Sequence, residues 1–514
     1  MRSTLLLSGL AGVLFALSVG CGDSSSSTEA GGSGGQGGGG GSGGSGAGEP
    51  VIPKGHPRIY LNKANRARLE ESLASESKAA VRFRDMVDAQ MDGGDIYAFQ
   101  PHFAALLGAL TGEEAYCTFA VDGVAAWVAS EEAKIAAGEA AEVSGDSYLY
   151  VGEVVGDLAL VYDHCFDTVT PDQRARWIAY ANQAVWTVWH PEEAEWAGTP
   201  HSWSGWSIDN PSNNYHYSFL RATMLLGLAT VGEDDAAQGW IDQFRTEKIE
   251  KQLVPTFNAD LVGGGSREGT GYGVAMGSLF HLYDLWEATT GERIWDLTDH
   301  TRASLPHMLH ATVPTLDRIA PIGDHARDST ASLFDYHRSY VQILQRLLGP
   351  KDPLTDVAAT WLEDCSVPEM SQPFMFIEDF LHGDPGHAKQ PLSVLNSTYY
   401  GAGTGMVFFR SDWKKAATWG AFLAGPYTES HAHRDQGSLL FYRNTWLAYD
   451  QNINSHSGIY QEETAHNLVR IESGGEIVQQ HNGGATLVAL RDTPDVLYLA
   501  ADITPIYGGA PEVT

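Results

Sequence analysis

Basic residues are scarce in this 514-residue chain: 32 lysines and arginines stand against 64 aspartates and glutamates, a formal net charge of -32. Nucleic acid and an anionic membrane face both require a basic surface, so the deficit argues against either as a partner. A polyanionic substrate is also disfavoured at long range. Screening limits that objection, because at ordinary salt a charge beyond about 10 Å is hardly felt and arginines within a cleft decide. Cysteine is scarce as well. Beyond Cys21 there are only Cys117, Cys165 and Cys365, enough for one bridge, Cys117 with Cys165 for example, with Cys365 left over. No apolar run of membrane length appears after the first residues.

What is present begins with Arg2 and an apolar run from Leu5 to Val19, too short to span a bilayer and placed where a secretory signal belongs. Leu17-Ser18-Val19-Gly20-Cys21 resembles a bacterial lipobox, although its aliphatic residue lies one place further from the cysteine than usual. Residues 1–21 are therefore expected to be a lipoprotein signal peptide, with Cys21 lipidated. Residues 22–50 form a linker, Gly and Ser almost without interruption as far as Gly48, the composition of a flexible tether. The expectation is an exported protein held at the cell envelope, at the outer membrane or cell surface, by its lipid alone.

From Arg58 to Phe380 apolar residues recur at helical spacing, as an apolar helix, a polar turn and an amphipathic helix, repeated. The turns Thr111-Gly112-Glu113, Val231-Gly232-Glu233 and Thr290-Gly291-Glu292 place glycine where a left-handed cap ends a helix. Thr170-Pro171-Asp172-Gln173 carries a capping residue, proline at the first helical position and a glutamine able to close a capping box. Stacked helical hairpins over 51–391 predict an α/α toroid, an incomplete barrel of hairpins; an irregular helical solenoid fits the same pattern. From Leu392 to Thr514 the texture changes to β-rich runs, Met406–Phe409, Leu439–Tyr442 and Val496–Leu499, separated by Gly, Asp and Asn. These predict an antiparallel, β-sandwich-type domain, short enough that a truncated one is expected as readily as a small one.

Four constellations gather chemistry. Asn213-Asn214-Tyr215-His216 follows the aromatic stretch Trp203 to Trp206; Asn and His can hydrogen-bond a carboxylate, and a tryptophan such as Trp206 offers a flat face to a sugar. A helix N-cap with core aromatics explains this segment more simply. The loop Gly263 to Tyr272 is no nucleotide fingerprint, since its glycine spacing is wrong and no βαβ unit precedes it. Such a loop lets backbone approach a ligand closely, and it presents Arg267, Glu268 and Tyr272 together. In His431-Ala432-His433-Arg434-Asp435, alternation puts His431, His433 and Asp435 on one face. Asp450, Tyr460 and His466-Asn467 follow. His433, Asp450 and His466 compose a zinc set with one position open, or else a hydrogen-bonded core cluster.

In order and relative position these segments resemble the heparinase II/III-like polysaccharide lyases and the neighbouring alginate lyases, along nearly all of 50–514. The most specific part runs from Arg410-Ser411-Asp412-Trp413 through His431-x-His433-x-Asp435-x-Gly437-Ser438 to His466-Asn467; Gly323-Asp324-His325 also resembles a family segment, though a turn explains it. The resemblance implies Tyr272 as catalytic acid/base, His431 as a catalytic or substrate-binding histidine, and His433, Asp450 and His466 as ligands of a structural zinc. It implies a carboxylate-neutralising Asn–His pair, Asn214 with His216 or else Asn213, and a second active-site tyrosine at Tyr460. Arg267, Glu268 and Trp206 are expected to bind substrate.

The implied activity is β-elimination on a uronic-acid polysaccharide, in which the C5 proton is removed and the C4 oxygen departs. Donors such as Asn214, His216 and Arg267 are needed to hold the carboxylate and the dianionic intermediate. Tyrosine, with an ordinary pKa of about 10, is a better proton donor than base at neutral pH, and histidine at about 6.5 shares the work. Two other readings stand beside this one. A toroidal glycoside hydrolase would pair Glu268 with Asp324 or Asp209. A non-catalytic lipoprotein would bind surface glycan without turnover.

Overall fold

Several helix ends follow the punctuation of the sequence. Thr170 and Gln173 form the expected capping box at the start of the helix Pro171–Trp189. Gly112 and Gly291 end the helices Pro101–Thr111 and Met276–Thr290 in the left-handed conformation. At the third turn the helix Asn214–Thr230 ends instead on Val231 in extended conformation, and Gly232 turns one residue later with a φ of 91°. The computed structural model describes residues 50–325, 331–383, 386–454, 460–508 and 510. The expected signal peptide, Cys21 and residues 22–49 of the expected tether lie outside the described residues.

Helices occupy the described chain between Lys63 and His382. Val151–His164 packs against Pro101–Thr111 and Asn214–Thr230, Asn214–Thr230 against Met276–Thr290, and that helix against Asp335–Leu348. Val151–His164 and Asn214–Thr230 are buried on nearly every side, the mark of inner helices, whereas Pro171–Trp189 buries chiefly one face. Gly152 allows the two inner helices their close approach, since a Cβ there would lie 2.4 Å from the Ser218 carbonyl oxygen. The last helix, Phe376–His382, returns to Lys78–Met91 near the start, with Phe380 stacked on Phe83 at 5.1 Å. This is the α/α toroid. Cys117 and Cys165 are disulfide-bonded, and Cys365 is buried and free.

A five-stranded antiparallel sheet follows, in the order Thr398–Gly401, Met406–Arg410, Trp419–Leu423, Leu439–Tyr442 and Trp446–Ala448. Thr486–Asp492 pairs separately with Leu497–Asp502. The β-rich runs read from the sequence fall in these strands, Val496 apart.

Toroid and sheet form one compact unit, joined at Arg410. Its guanidinium donates to the carbonyl oxygens of His310 and Thr312 at 3.0 and 2.8 Å and stacks over Trp413 at 3.7 Å. Trp419 Nε1 donates to the same His310 oxygen at 2.9 Å. Those carbonyls end the helix His300–Ala311, so a buried cation caps its C-terminus. The Arg410–Trp413 run is a structural joint between the two parts.

Candidate active site

Three segments remote in sequence lie stitched side by side. Thr270 N donates to Ile322 O at 2.8 Å, Tyr272 N to Asp324 O at 3.0 Å, and Asp324 N to His431 O at 2.9 Å. Glycine permits the approach. A Cβ on Gly269 would lie 2.2 Å from Ile322 O, one on Gly271 2.1 Å from Asp324 O, and one on Gly323 2.5 Å from Glu268 O. Sequence reasoning assigned the glycine-rich loop to the approach of a ligand; the close approach is to the protein's own backbone.

The stitching delivers side chains. The Tyr272 ring lies on the His431 imidazole, centroids 3.9 Å apart and planes at 17°. Asp324 accepts from His431 Nδ1 at 2.8 Å and from His433 Nε2 at 2.7 Å, one histidine on each carboxylate oxygen. Gln461 donates to both oxygens at 3.2 Å. A carboxylate only accepts, so those two nitrogens carry protons, which leaves His431 Nε2 and His433 Nδ1 as the ring positions where a neutral imidazole would hold its lone pair. Burial pushes the Asp324 carboxyl up, but the hydrogen bonds from His431 and His433 outweigh it and hold the group below the ordinary aspartate value. Asp324 is itself buried, His433 fully so, while His431 remains partly exposed.

His433, Asp450 and His466 are all buried, and each brings one potential ligand atom within 4.8 Å of the others. His466 Nδ1 is hydrogen-bonded to Asp450 at 2.6 Å, and its Nε2 is buried with no hydrogen-bond partner. Leaving a buried polar atom unsatisfied costs about 1–3 kcal/mol, and an imidazole lone pair so placed is what a zinc ion takes. Asp435 is buried beside them, and burial pushes its carboxyl up to about 6.

Other expected residues fall into two groups. Trp206 and Tyr460 are exposed, 46% and 48%. Asn213 caps the helix Asn214–Thr230 by accepting from Tyr215 N at 3.1 Å, and its amide donates to Glu268 at 3.2 Å; Asn214 Oδ1 is buried with no hydrogen-bond partner. His216 corrects an expectation. Its Nδ1 faces the Ser207 carbonyl at 3.0 Å and must donate to it, burial pulls its pKa down to about 4, and the neutral ring has no second proton to offer a carboxylate. Arg267 is likewise committed, to the Gly403 carbonyl at 3.1 Å and to Asp260 at 3.2 Å. Glu268 is buried, and desolvation with the nearby Glu429 charge raises its carboxyl well above the ordinary glutamate value.

The carboxylates of the hydrolase reading are otherwise engaged. Asp324 holds two histidines, and Asp209 is paired with Lys248 at 3.0 Å. Lys248 comes from a π-helical stretch, Gln243–Leu253, that the sequence did not announce. Sequence reasoning also missed Gln461 and the acceptor role of Glu429 toward Asn210 at 3.0 Å. Asp324 it noticed within a segment of family resemblance that a turn also explained, and as half of a hydrolase pair, but not as the acceptor of two histidines.

Solved structures that match this fold include polysaccharide lyases. Heparinase III shares this fold with a TM-score of 0.50 over 87% of this chain and 68% of its own, at 13% identity. Heparan sulfate lyase HepC from Pedobacter heparinus gives a TM-score of 0.46 at 12% identity, over 86% of this chain and 73% of its own. Chondroitin AC lyase from Streptomyces coelicolor A3, solved in complex with chondroitin sulphate, gives 0.42 at 14% identity, over 75% and 55%. The sequence matches no protein-family model and no curated protein. At these identities the likeness is one of fold.

Proposed function

We propose that this chain is a polysaccharide lyase that cleaves a uronic-acid polysaccharide by β-elimination. The observation that carries the reading is the Tyr272 ring stacked on His431, whose proton is fixed on Nδ1 by Asp324. With that tautomer, His431 Nε2 is a lone pair able to take the C5 proton. The electron pair of the broken C5–H bond forms the C4–C5 double bond as the C4–O bond breaks, and the Tyr272 phenol donates its proton to the departing oxygen. Asn214 is the amide left to hold the uronate carboxylate, because His216 has no proton to give and Arg267 is paired. Trp206 and Tyr460 carry flanking sugars.

His433, Asp450 and His466 would hold zinc, which when bound would supply a fixed charge and a clamp on the loop that bears His431. The acidic composition and the commitment of Arg267 favour a carboxylate-only polymer, such as alginate or an exopolysaccharide uronate, over a heavily sulfated one. The leader and Cys21 support display of this activity at the cell envelope through a lipid anchor. Mass spectrometry of digestion products tests the reaction type. Elimination gives fragments lighter by one water than hydrolysis would; saturated fragments from the same polymer would replace the lyase by a hydrolase.

A further inference from the structure

The toroid carries a second cluster of histidine and carboxylate, built from other helices than the site above. His281 stands on Met276–Thr290, Ser339 on Asp335–Leu348, and Glu378 and His382 on Phe376–His382. Around Glu378 Oε2 lie His281 Nε2 at 3.3 Å, His382 Nδ1 at 3.2 Å and Ser339 Oγ at 3.1 Å; His281 Nε2 and Ser339 Oγ are themselves 3.1 Å apart. Asp324 meets its two histidines at 2.8 and 2.7 Å, the length of a charge-assisted hydrogen bond. The contacts at Glu378 are longer. Two ligands on one tetrahedral zinc, each bonded at about 2.0–2.1 Å, stand about 3.3 Å apart, which is the spacing found here.

A second observation points the same way. Asp284 is 6% exposed, and its Oδ2 is paired with His382 Nε2 at 3.3 Å. With His382 Nδ1 turned to the cluster, Asp284 lies on the far ring nitrogen, where a supporting carboxylate stands in carboxylate–histidine–metal triads. The His281 and Glu378 side chains keep 22% and 16% exposure, so an ion has a way in.

We infer that His281, Glu378 and His382 form a binding site for a divalent transition ion, with Ser339 at the fourth position and Asp284 behind His382. Two imidazoles and one carboxylate select zinc, cobalt or nickel over calcium or magnesium. An ion here ties the closing helix Phe376–His382 to Met276–Thr290, the helix that follows Tyr272.

The test uses crystals of the whole chain grown with zinc, with anomalous differences recorded at the zinc edge, together with cobalt titration of wild type, Glu378→Gln and His281→Ala in solution. The expected result is an anomalous peak among the three side chains in the wild type. Each variant should bind one cobalt equivalent fewer, and the loss should persist when His433→Ala has removed the other cluster's contribution. No peak at this position in the wild-type crystal, or cobalt stoichiometry unchanged in both variants, overturns the site. The wild-type map decides even if a variant fails to fold.

Discussion

His431 donates its Nδ1 proton to Asp324 at 2.8 Å, and the same backbone pair is locked by Asp324 N on His431 O. Position and tautomer of the proposed base are thus set by one residue. Asp324→Asn replaces an acceptor by an amide that must offer N–H to one of the two histidines, so the His431 tautomer is released. The expected loss in kcat is about 10²–10⁴, the range for a misplaced general base, with KM little changed. Initial rates on a cleaved polymer check this; a variant as fast as the wild type would remove Asp324 from the mechanism.

Gly323 and Gly112 share positive φ, 74° and 75°, but a Cβ on Gly323 would meet Glu268 O at 2.5 Å and His431 O at 3.0 Å while one on Gly112 would meet nothing within 4 Å. Gly112→Ala should cost about 1 kcal/mol of stability and keep activity. Gly323→Ala should cost more and lose most activity, because it separates Tyr272 and His431. Urea midpoints and rates on the two variants decide; equal behaviour would mean that the stitched backbone does not matter.

Arg410 is 6% exposed and spans two carbonyls while stacking on Trp413. Both bonds leave one nitrogen, Nη2, and lysine keeps the charge but loses the planar face stacked on Trp413 and the guanidinium that sets that nitrogen between the carbonyls. Arg410→Lys should lower unfolding free energy on the order of 2–3 kcal/mol, the worth of charged hydrogen bonds in a buried setting. An unchanged urea midpoint would contradict the joint.

Much of this was legible in the sequence, and for identifiable reasons. The Thr170 box and the glycines at 112 and 291 are local signals, decided within four or five residues. Tyr272 with His431, and His433 with Asp450 and His466, were singled out by residue type and order, and each set lies together in the fold. The role of Asp324 was not, because it rests on contacts 107 and 109 residues down the chain and its local Gly-Asp context is that of any turn. His216 misled for the opposite reason: only its burial and the Ser207 carbonyl reveal that its one proton is already used.

His216 and His300 are buried, and burial pulls each from an ordinary 6.5 to about 4. Both are neutral when folded, whereas the unfolded chain takes up protons below about 6.5. Their contribution is therefore complete above about pH 6.5 and is lost as pH falls toward 4, on the order of 3 kcal/mol for each. His300 Nε2 donates to Gly265 O at 2.9 Å, and His300→Gln keeps a donor while removing the titration. Urea midpoints of wild type and variant compared between about pH 7.5 and 5 should fall more steeply on acidification for the wild type; parallel curves would contradict the buried neutral state.

The most direct test of the central claim is ultraviolet absorbance of the body from Val51 onward, incubated with a panel of uronic-acid polysaccharides beside Tyr272→Phe and His431→Ala. A C4–C5 double bond conjugated to the carboxylate absorbs where the substrate does not. Absorbance should grow on at least one carboxylate-only polymer and disappear in both variants. Reducing ends without absorbance, or absorbance undiminished in Tyr272→Phe, would contradict it.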